Sequence, residues 1–192
     1  MKIILTVLLT IYALIAFTGC ATPTTAPTVP ADPSAGSPTV KPTLDLDWFS
    51  MEMTDVNTGE TFTMNDFTGK VVIMDTMAMW CPGCLTQAKE ISKMLDALGN
   101  PEDLVVISLD VDVNEDADTL KKYVEENGLQ WRYAVAPLLV ARALGNLYTA
   151  QYLNPPISPM MMIDREGKVH HLQYGTKSAE ALQEFIKPFL EK

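Results

Sequence analysis

Residues 71–84 read VVIMDTMAMWCPGC, and this stretch decides the fold. The run from Val71 to Met77 is largely apolar and has the length of a strand that is buried on both faces. Such a strand takes a central position in a sheet that helices cover. Beyond Cys84, apolar side chains recur at helical spacing until Gly99 ends the run. The stretch therefore predicts a buried strand, a turn and an amphipathic helix, in that order.

Two cysteines, Cys81 and Cys84, lie where the predicted strand meets the predicted helix. Unpaired backbone N–H groups and the helix dipole favour an anion at the first helical turn, so the pKa of the Cys81 thiol should lie below that of free cysteine. Cys84, one turn further on, is expected to be more sheltered and less acidic. We therefore expect Cys81 to attack a partner disulfide and Cys84 to resolve the mixed disulfide. Pro82 suits the helix start, where its missing N–H would be unpaired anyway.

A C-x-x-C pair can also be a metal half-site or a structural crosslink. The chain has three cysteines, so one chain cannot supply a zinc site made of four. A disulfide between Cys81 and Cys84 would close a loop too small to add much stability to a domain of this size. These arguments favour a redox pair.

The N-terminus predicts export and a membrane anchor. One lysine, Lys2, precedes a long apolar run, and the segment ends in Phe17-Thr18-Gly19-Cys20, which resembles the lipobox of bacterial-type lipoproteins. We interpret residues 1–19 as a lipoprotein signal peptide and Cys20 as the lipidated residue; an uncleaved membrane anchor is the alternative. The proline- and threonine-rich residues 20–43 predict an extended tether.

Residues 44–192 have the composition of one globular domain, and the chain carries a formal net charge of −10. An acidic protein is a poor partner for nucleic acid. The hydrophobic pattern predicts a mixed α/β sheet flanked by helices and preceded by a hairpin around Asn57-Thr58-Gly59. Beyond the first strand and helix, the predicted strands cover 104–111, 131–135, 160–164 and 168–174, and the predicted helices 116–127, 137–145 and 178–190.

Three segments together resemble exported, membrane-tethered TlpA-like proteins of the thioredoxin fold. They are VVIMDTMAMWCPGC, the stretch LVVISLDVDVNEDADTLKKYVEENGL from Leu104, and ISPMMMIDREGKV from Ile157. The second resembles the strand and helix that this group inserts after its active-site helix. The resemblance covers residues 44–192 and implies a thioredoxin fold with an N-terminal β-hairpin and this inserted strand and helix.

The resemblance also implies roles for single residues. Cys81 is the nucleophile, Cys84 the resolving thiol and Trp80 the aromatic side chain that shields them. Pro159 is identified as the cis-proline of the fold, with Ser158 before it.

Four residues are then expected to line the substrate groove with Trp80, namely Pro82, Gly83, Ser158 and Pro159. Asp75 stands where thioredoxin has a buried aspartate. Burial should raise the pKa of this carboxyl and allow it to accept the proton of Cys84 during resolution.

The implied activity is extracytoplasmic thiol–disulfide exchange, in the direction of reduction. The implied partners are exported proteins with cysteines or disulfides and a membrane electron donor. No further cofactor and no resident metal are implied.

A different function would be Cu(I) binding by a tethered metallochaperone, since thiolate and thioether ligands select Cu(I). Five methionines are expected near the thiols: Met77, Met79, Met160, Met161 and Met162. Methionine also fills irregular core space, and Met161 should point away from Met160 and Met162 on a strand. His170 and His171 should likewise face opposite sides and hardly share one ion. A peroxide-reducing relative is a third alternative, but the threonine-containing motif with a lone cysteine is missing.

Overall fold

The computed structural model describes residues 47–191. The predictions of a signal peptide at 1–19, lipidation at Cys20 and a tether at 20–43 lie outside the described residues. Within those residues, no helix has the length and apolar character needed to cross a membrane.

The described chain contains seven strands and four α-helices. The strands are β1 (Met53–Thr54), β2 (Thr61–Phe62), β3 (Val71–Met77), β4 (Leu104–Asp110), β5 (Arg132–Val135), β6 (Met160–Ile163) and β7 (Val169–His171). The helices are α1 (Pro82–Leu98), α2 (Ala117–Glu126), α3 (Leu138–Leu147) and α4 (Ala179–Leu190). Single turns of 3₁₀ helix cover Trp48–Ser50, Met64–Phe67, Ala150–Leu153 and Pro155–Ile157.

A five-stranded sheet in the order β5-β4-β3-β6-β7 forms the centre of the domain. Strands β3, β4 and β5 are parallel neighbours, whereas β6 runs antiparallel to β3 and β7 antiparallel to β6. The hairpin β1–β2 is antiparallel and contacts the β5 edge through a hydrogen bond from Val56 N to Tyr133 O. The predicted mixed sheet, the hairpin and the inserted strand and helix are all present.

Two hydrophobic layers cover the two faces of the sheet. Alternate residues of β3 divide between them, since Ile73 packs with α1, α2 and α4, while Met74 packs with α3 and the segment around Trp48. All seven residues of β3 are buried, as its apolar sequence predicts for a central strand.

The ends of α1 follow from local sequence. Cys81 is the N-cap residue and Pro82 the first helical residue, while Gly99 closes the helix in the left-handed conformation with a φ of 71°. Ile91 and Met94 are fully buried against the sheet. The helix therefore starts immediately at the cysteine pair.

Two predicted elements differ from the structure. The strand predicted at 168–174 is limited to three residues, Val169–His171, because the following residues Gln173 to Thr176 are exposed and turn towards α4. Residues 146–158, which carry no predicted strand or helix, contain the two 3₁₀ turns at Ala150–Leu153 and Pro155–Ile157. The second of these turns packs beside the start of α1, next to the cysteines.

Candidate functional site

Cys81 and Cys84 form a disulfide at the N-terminus of α1, with their Cα atoms 5.3 Å apart. Cys81 Sγ accepts a hydrogen bond from the backbone N–H of Cys84 at 3.1 Å. A donor and the positive end of a helix dipole both stabilise a thiolate at this sulfur. The prediction that Cys84 is the more sheltered cysteine is wrong for the disulfide state, because Cys81 is 1% and Cys84 4% exposed. Packing around the first turn buries both cysteine residues about equally.

Cys84 Sγ lies in a different electrostatic environment. It is 3.5 Å from the carbonyl oxygen of Pro155, the first residue of the second 3₁₀ turn. After reduction, a protonated Cys84 can donate its S–H to this oxygen, whereas a thiolate would be repelled by it. The two sulfurs therefore differ by their partners, a donor for Cys81 and an acceptor for Cys84.

The Ser158–Pro159 segment lies against the start of α1. A Cβ placed on Gly83 would be 4.0 Å from both Cys81 Sγ and Ser158 Oγ, so the predicted groove residues Gly83 and Ser158 do meet beside the disulfide. Pro82 is exposed at the helix start, while Pro159 is buried and its carbonyl accepts a hydrogen bond from Thr76 N at 3.2 Å.

The prediction that Pro159 is a cis-proline is wrong. No peptide bond within residues 47–191 is cis, so the Ser158–Pro159 bond is trans. The chain reverses instead at Ser158, which ends the preceding 3₁₀ turn in the left-handed conformation with a φ of 48° and a ψ of 61°. That turn brings the segment to β6 without a cis bond.

Asp75 points from β3 into the same layer that contains the disulfide. It is 4% exposed, and its Oδ1 accepts a hydrogen bond of 2.6 Å from Ser108 Oγ on β4. Ser108 Oγ in turn accepts from Trp131 Nε1 at 2.9 Å. Burial raises the pKa of Asp75 to about 6, against the opposing effects of the Ser108 hydrogen bond and of the Lys177 charge. The predicted raised pKa of this carboxyl is therefore present.

Lys177 is the cation that faces Asp75. Its Nζ donates to the carbonyl oxygen of Ser158 at 2.7 Å, and its charge also acts on the buried Asp75 carboxyl. Burial lowers the pKa of Lys177 to about 8, while the negative charge of Asp75 acts in the opposite direction. Lys177 therefore contacts Ser158 of the predicted substrate groove and also acts electrostatically on Asp75, the predicted proton acceptor.

The side-chain amide of Gln87, on α1, makes two hydrogen bonds with the backbone of Lys177. Gln87 Oε1 accepts from Lys177 N at 2.7 Å, and Gln87 Nε2 donates to Lys177 O at 3.2 Å. Gln87 is 1% exposed, so its amide has no competing water. The helix that carries the cysteines thereby also positions the lysine.

Trp80 is held by the loop between β4 and α2. Its Nε1 donates to Asp112 Oδ2 at 2.6 Å, and the neighbouring Met79 N donates to Glu115 Oε2 at 2.8 Å. The Trp80 side chain remains 57% exposed. The shielding of the sulfurs by Trp80 stays a prediction. Both cysteines are buried, and the Pro155 carbonyl oxygen lies 3.5 Å from Cys84 Sγ.

A second buried carboxyl, Asp110, lies at the end of β4. Its Oδ1 accepts from Asp112 N at 3.0 Å, whereas its Oδ2 has no donor within the described part of the chain. Burial and the neighbouring Glu115 carboxyl raise the pKa of Asp110 well above its ordinary value.

The methionines divide between the two layers. Of the five methionines predicted near the thiols, three share the buried cluster of the disulfide, namely Met77, Met160 and Met162. Met161 packs on the opposite face, as its strand position predicts, and Met79 is half-buried. The three fill core space against the cysteines, and Cu(I) binding stays a prediction.

His170 and His171 have separate partners. His170 Nε2 is 2.7 Å from Asp164 Oδ2, and His171 Nδ1 is 2.8 Å from the hydroxyl of Tyr152. The predicted opposite orientation of the two imidazoles is therefore found.

Sequence reasoning missed Lys177 and Gln87. Their mutual hydrogen bonds join residues 90 positions apart, a separation at which the sequence carries no signal. Asp110 and Asp112 could have been noticed in the sequence, because two acidic residues alternate with valines at the end of a strand that is predicted to be buried.

Comparison with known proteins agrees with this geometry. The model of the Redoxin family matches residues 33–185. Among curated proteins, the thiol-disulfide oxidoreductase ResA of Bacillus thuringiensis subsp. konkukian is 25% identical over 129 residues, which are 67% of this chain and 69% of ResA. The prediction of a TlpA-like thiol–disulfide oxidoreductase is confirmed by these matches.

Two solved structures show the same fold. One is a thiol:disulfide interchange protein from Chlorobium tepidum TLS, with a TM-score of 0.59, 21% identity and coverage of 73% of this chain and 92% of that one. The other, a secreted thiol-disulfide isomerase from Corynebacterium glutamicum, has a TM-score of 0.60, 19% identity and coverage of 74% and 84%. The family model covers well over half of the chain and the solved structures share its fold, so this chain belongs to the Redoxin family and has the thioredoxin fold.

Proposed function

We propose that this oxidoreductase reduces disulfides of exported proteins outside the cytoplasm, with Cys81 as nucleophile and Cys84 as resolving thiol. The observation that carries the assignment is the unequal environment of the two sulfurs. Cys81 Sγ has a backbone N–H donor at 3.1 Å, and Cys84 Sγ faces a carbonyl oxygen at 3.5 Å. The thiolate of the reduced pair is therefore favoured on Cys81.

The reaction has two exchange steps. The Cys81 thiolate attacks one sulfur of the substrate disulfide, forms a mixed disulfide and releases one substrate thiolate, which takes a proton from solvent. Cys84 then loses its proton, attacks Cys81 Sγ and releases the second substrate thiol. Two electrons pass to the substrate, the Cys81–Cys84 disulfide remains, and a membrane dithiol donor must reduce it again.

Asp75 accepts the Cys84 proton in the second step of this proposal. Asp75 shares a face of β3 with Ile73 and Met77, which pack in the buried cluster of the disulfide, and with a pKa of about 6 its carboxyl is ionised at neutral pH. Asp75→Asn should leave the attack by Cys81 intact and slow the release of the mixed disulfide by about 100-fold. Stopped-flow measurement of both steps with a model disulfide separates them. Equal release rates in the variant and the wild type would remove Asp75 from the mechanism.

The direction of electron flow is tested by equilibrating the full chain carrying Cys20→Ser, so that Cys81 and Cys84 alone titrate. Tryptophan fluorescence should follow a reversible two-electron transition in glutathione or dithiothreitol buffers. A potential near about −270 mV supports a reductant, whereas one near about −120 mV would make the protein an oxidant. In the same background, Cys84→Ser should accumulate a mixed disulfide at Cys81, and Cys81→Ser should accumulate none.

The site of action is the membrane surface outside the cytoplasm, through lipid on Cys20. The apolar N-terminal run with its terminal cysteine supports this proposal, as does the description of the Corynebacterium glutamicum structure as secreted. Labelling cells with a fatty-acid analogue should mark the wild type and not Cys20→Ser. Labelled Cys20→Ser would exclude Cys20 as the lipidated residue.

Cu(I) binding is the second candidate, because Met77, Met160 and Met162 share a buried cluster with both cysteines. Titration of the reduced protein with Cu(I) in the presence of a chromophoric chelator measures it. Tight binding without any disulfide formation in the redox titration would favour this function over thiol exchange.

A further inference from the structure

A patch of exposed apolar side chains lies beside the disulfide. Its members are Trp80, Val113, Leu138 and Leu153, which are 57%, 87%, 58% and 42% exposed. Soluble domains leave such side chains exposed together mainly where they bind something. The patch lies where β3, β4 and β5 end, because Val111 N donates to Met77 O at 3.0 Å and Ala136 N donates to Asp110 O at 2.8 Å.

Two depressions divide this patch and share one segment, Val111–Asp112–Val113. The first, of about 210 Å³, is also lined by Trp80, Leu153 and Pro155. The second, of about 320 Å³, is also lined by Glu115, Val135, Ala136, Leu138 and Ala141. We call the two together the Val113 trough.

The walls of the Val113 trough are already ordered by hydrogen bonds. Asp112 Oδ2 accepts from Trp80 Nε1 at 2.6 Å, which fixes the indole ring. Asp112 Oδ1 accepts from Asn114 N at 2.9 Å, and Asp112 N donates to Asp110 Oδ1 at 3.0 Å. A preformed wall lowers the entropy that a bound segment must lose for both partners.

The charges of the Val113 trough select the chemistry of its occupant. Asp112 and Glu115 line it, and neither depression has a lysine, arginine or histidine among its lining residues. The whole chain carries a net charge of −10, which disfavours an anionic lipid surface. A segment with apolar side chains and a nearby basic residue is complementary to these walls.

The position of the Val113 trough identifies the occupant. It begins at Pro155, whose carbonyl oxygen is 3.5 Å from Cys84 Sγ, and at Trp80, the residue before Cys81. An extended chain advances about 3.3 Å per residue, so residues a few positions from a cysteine bonded to Cys81 can reach it. The molecule that must be present there during thiol exchange is the substrate polypeptide.

We propose that the Val113 trough binds an extended segment of the substrate polypeptide, a few residues from its reacting cysteine, that carries apolar side chains and a basic residue. This inference rests on the proposed thiol exchange at Cys81. It adds a determinant of substrate choice from the inserted β4–α2 segment and from α3.

The test uses the reduced full chain carrying Cys20→Ser and two short disulfide-containing peptides. One peptide has leucine, leucine and lysine beside the disulfide, and the other has serine, serine and glutamate at those positions. We expect the wild type to reduce the first about tenfold faster, measured as kcat/KM with a coupled reductant. The double variant Val113→Ser/Leu138→Ser should lose about fivefold of that preference, through the rate for the apolar, basic peptide.

Leu139→Ser is the matched control, because Leu139 is 48% exposed on the same helix and lines neither depression. It should keep the wild-type preference. Equal rates for both peptides in the wild type, or an unchanged preference in the double variant, would overturn the docking proposal. So would a monomer–dimer equilibrium that the double variant alone abolishes, since a second copy of the chain would then be the occupant.

Exchange with hydroxyethyl disulfide, a small linear disulfide that has no side chains for the trough, separates the two proposals. If the wild type exchanges with this small disulfide but shows no peptide preference, the docking proposal alone is wrong. If it exchanges with neither, the proposed function is wrong, and the docking proposal is overturned with it.

Discussion

Replacing Asp75 by asparagine should stabilise the oxidised protein at neutral pH. Asp75 is 4% exposed, and burial raises its pKa from 3.8 to about 6. One pKa unit corresponds to about 1.36 kcal/mol, so keeping this carboxylate ionised in the folded state costs about 3 kcal/mol. Asparagine removes the charge and can still accept the hydrogen bond from Ser108 Oγ. We therefore expect the free energy of unfolding of Asp75→Asn to exceed that of the wild type by about 3 kcal/mol at pH 7.

The sign of the pH dependence follows from the raised pKa. Between the unfolded value of 3.8 and the folded value of about 6, the native state binds the proton and the unfolded state does not. The wild type therefore loses stability as the pH rises through this window, at up to about 1.36 kcal/mol per pH unit from this group. The difference in unfolding free energy between Asp75→Asn and the wild type should be smallest near pH 4 and should level off above about pH 6.

Urea titrations of the oxidised proteins at several pH values between 4 and 8 measure this difference. The control Asp96→Asn, on the exposed side of α1, reports the effect of removing one negative charge from the surface. A difference that stays constant with pH would refute the reasoning, because it would show that the substitution acts through packing or hydrogen bonding. A wild type that is more stable than Asp75→Asn at pH 7 would refute it as well.

Other substitutions test the neighbouring groups. Lys177→Met should raise the pKa of Asp75 above about 6, because the ammonium charge that favours the carboxylate is lost, and carboxyl carbon shifts in NMR titrations measure it. Because the pKa of Asp110 is raised to about 8, the gain in unfolding free energy of Asp110→Asn over the wild type should keep growing above pH 6. The asparagine amide also offers a donor to Glu115. Urea titrations to pH 9 measure this gain. Gly99→Ala should cost about 1 kcal/mol in the same assay through backbone strain alone, since its φ is 71° and no atom lies within 4 Å of the added Cβ.

The central strand and the active-site helix could be predicted from sequence because their causes are local. Seven consecutive largely apolar residues specify a strand buried on both faces, and β3 spans the predicted Val71–Met77. Pro82 and Gly99 set the two ends of α1 through the backbone conformations they allow. The position of Cys81 at the N-cap, and with it the chemistry of the thiol, follows from this local information.

The features that sequence reasoning missed depend on tertiary contacts. Gln87 and Lys177 recognise each other across 90 residues, and only the packing of α4 against α1 brings them together. The Ser158–Pro159 bond is a similar case, since resemblance predicted a cis bond. The conformation of the preceding Pro155–Ile157 turn and of Ser158 brings the chain to β6 with a trans bond. Neither turn nor bond isomer is specified by the residues on the two sides of the proline alone.

The acidity of the whole protein has little influence on which sulfur becomes the nucleophile. With a net charge of −10, the average field disfavours any thiolate. Exposed charges are screened over about 10 Å at 0.1 M salt, whereas the N–H of Cys84 acts on Cys81 Sγ at 3.1 Å inside a buried site. The nearest groups therefore decide, with a donor at Cys81 Sγ and a carbonyl oxygen at Cys84 Sγ. It follows that added surface charge should change the rate of encounter with a substrate, while the identity of the attacking cysteine stays the same.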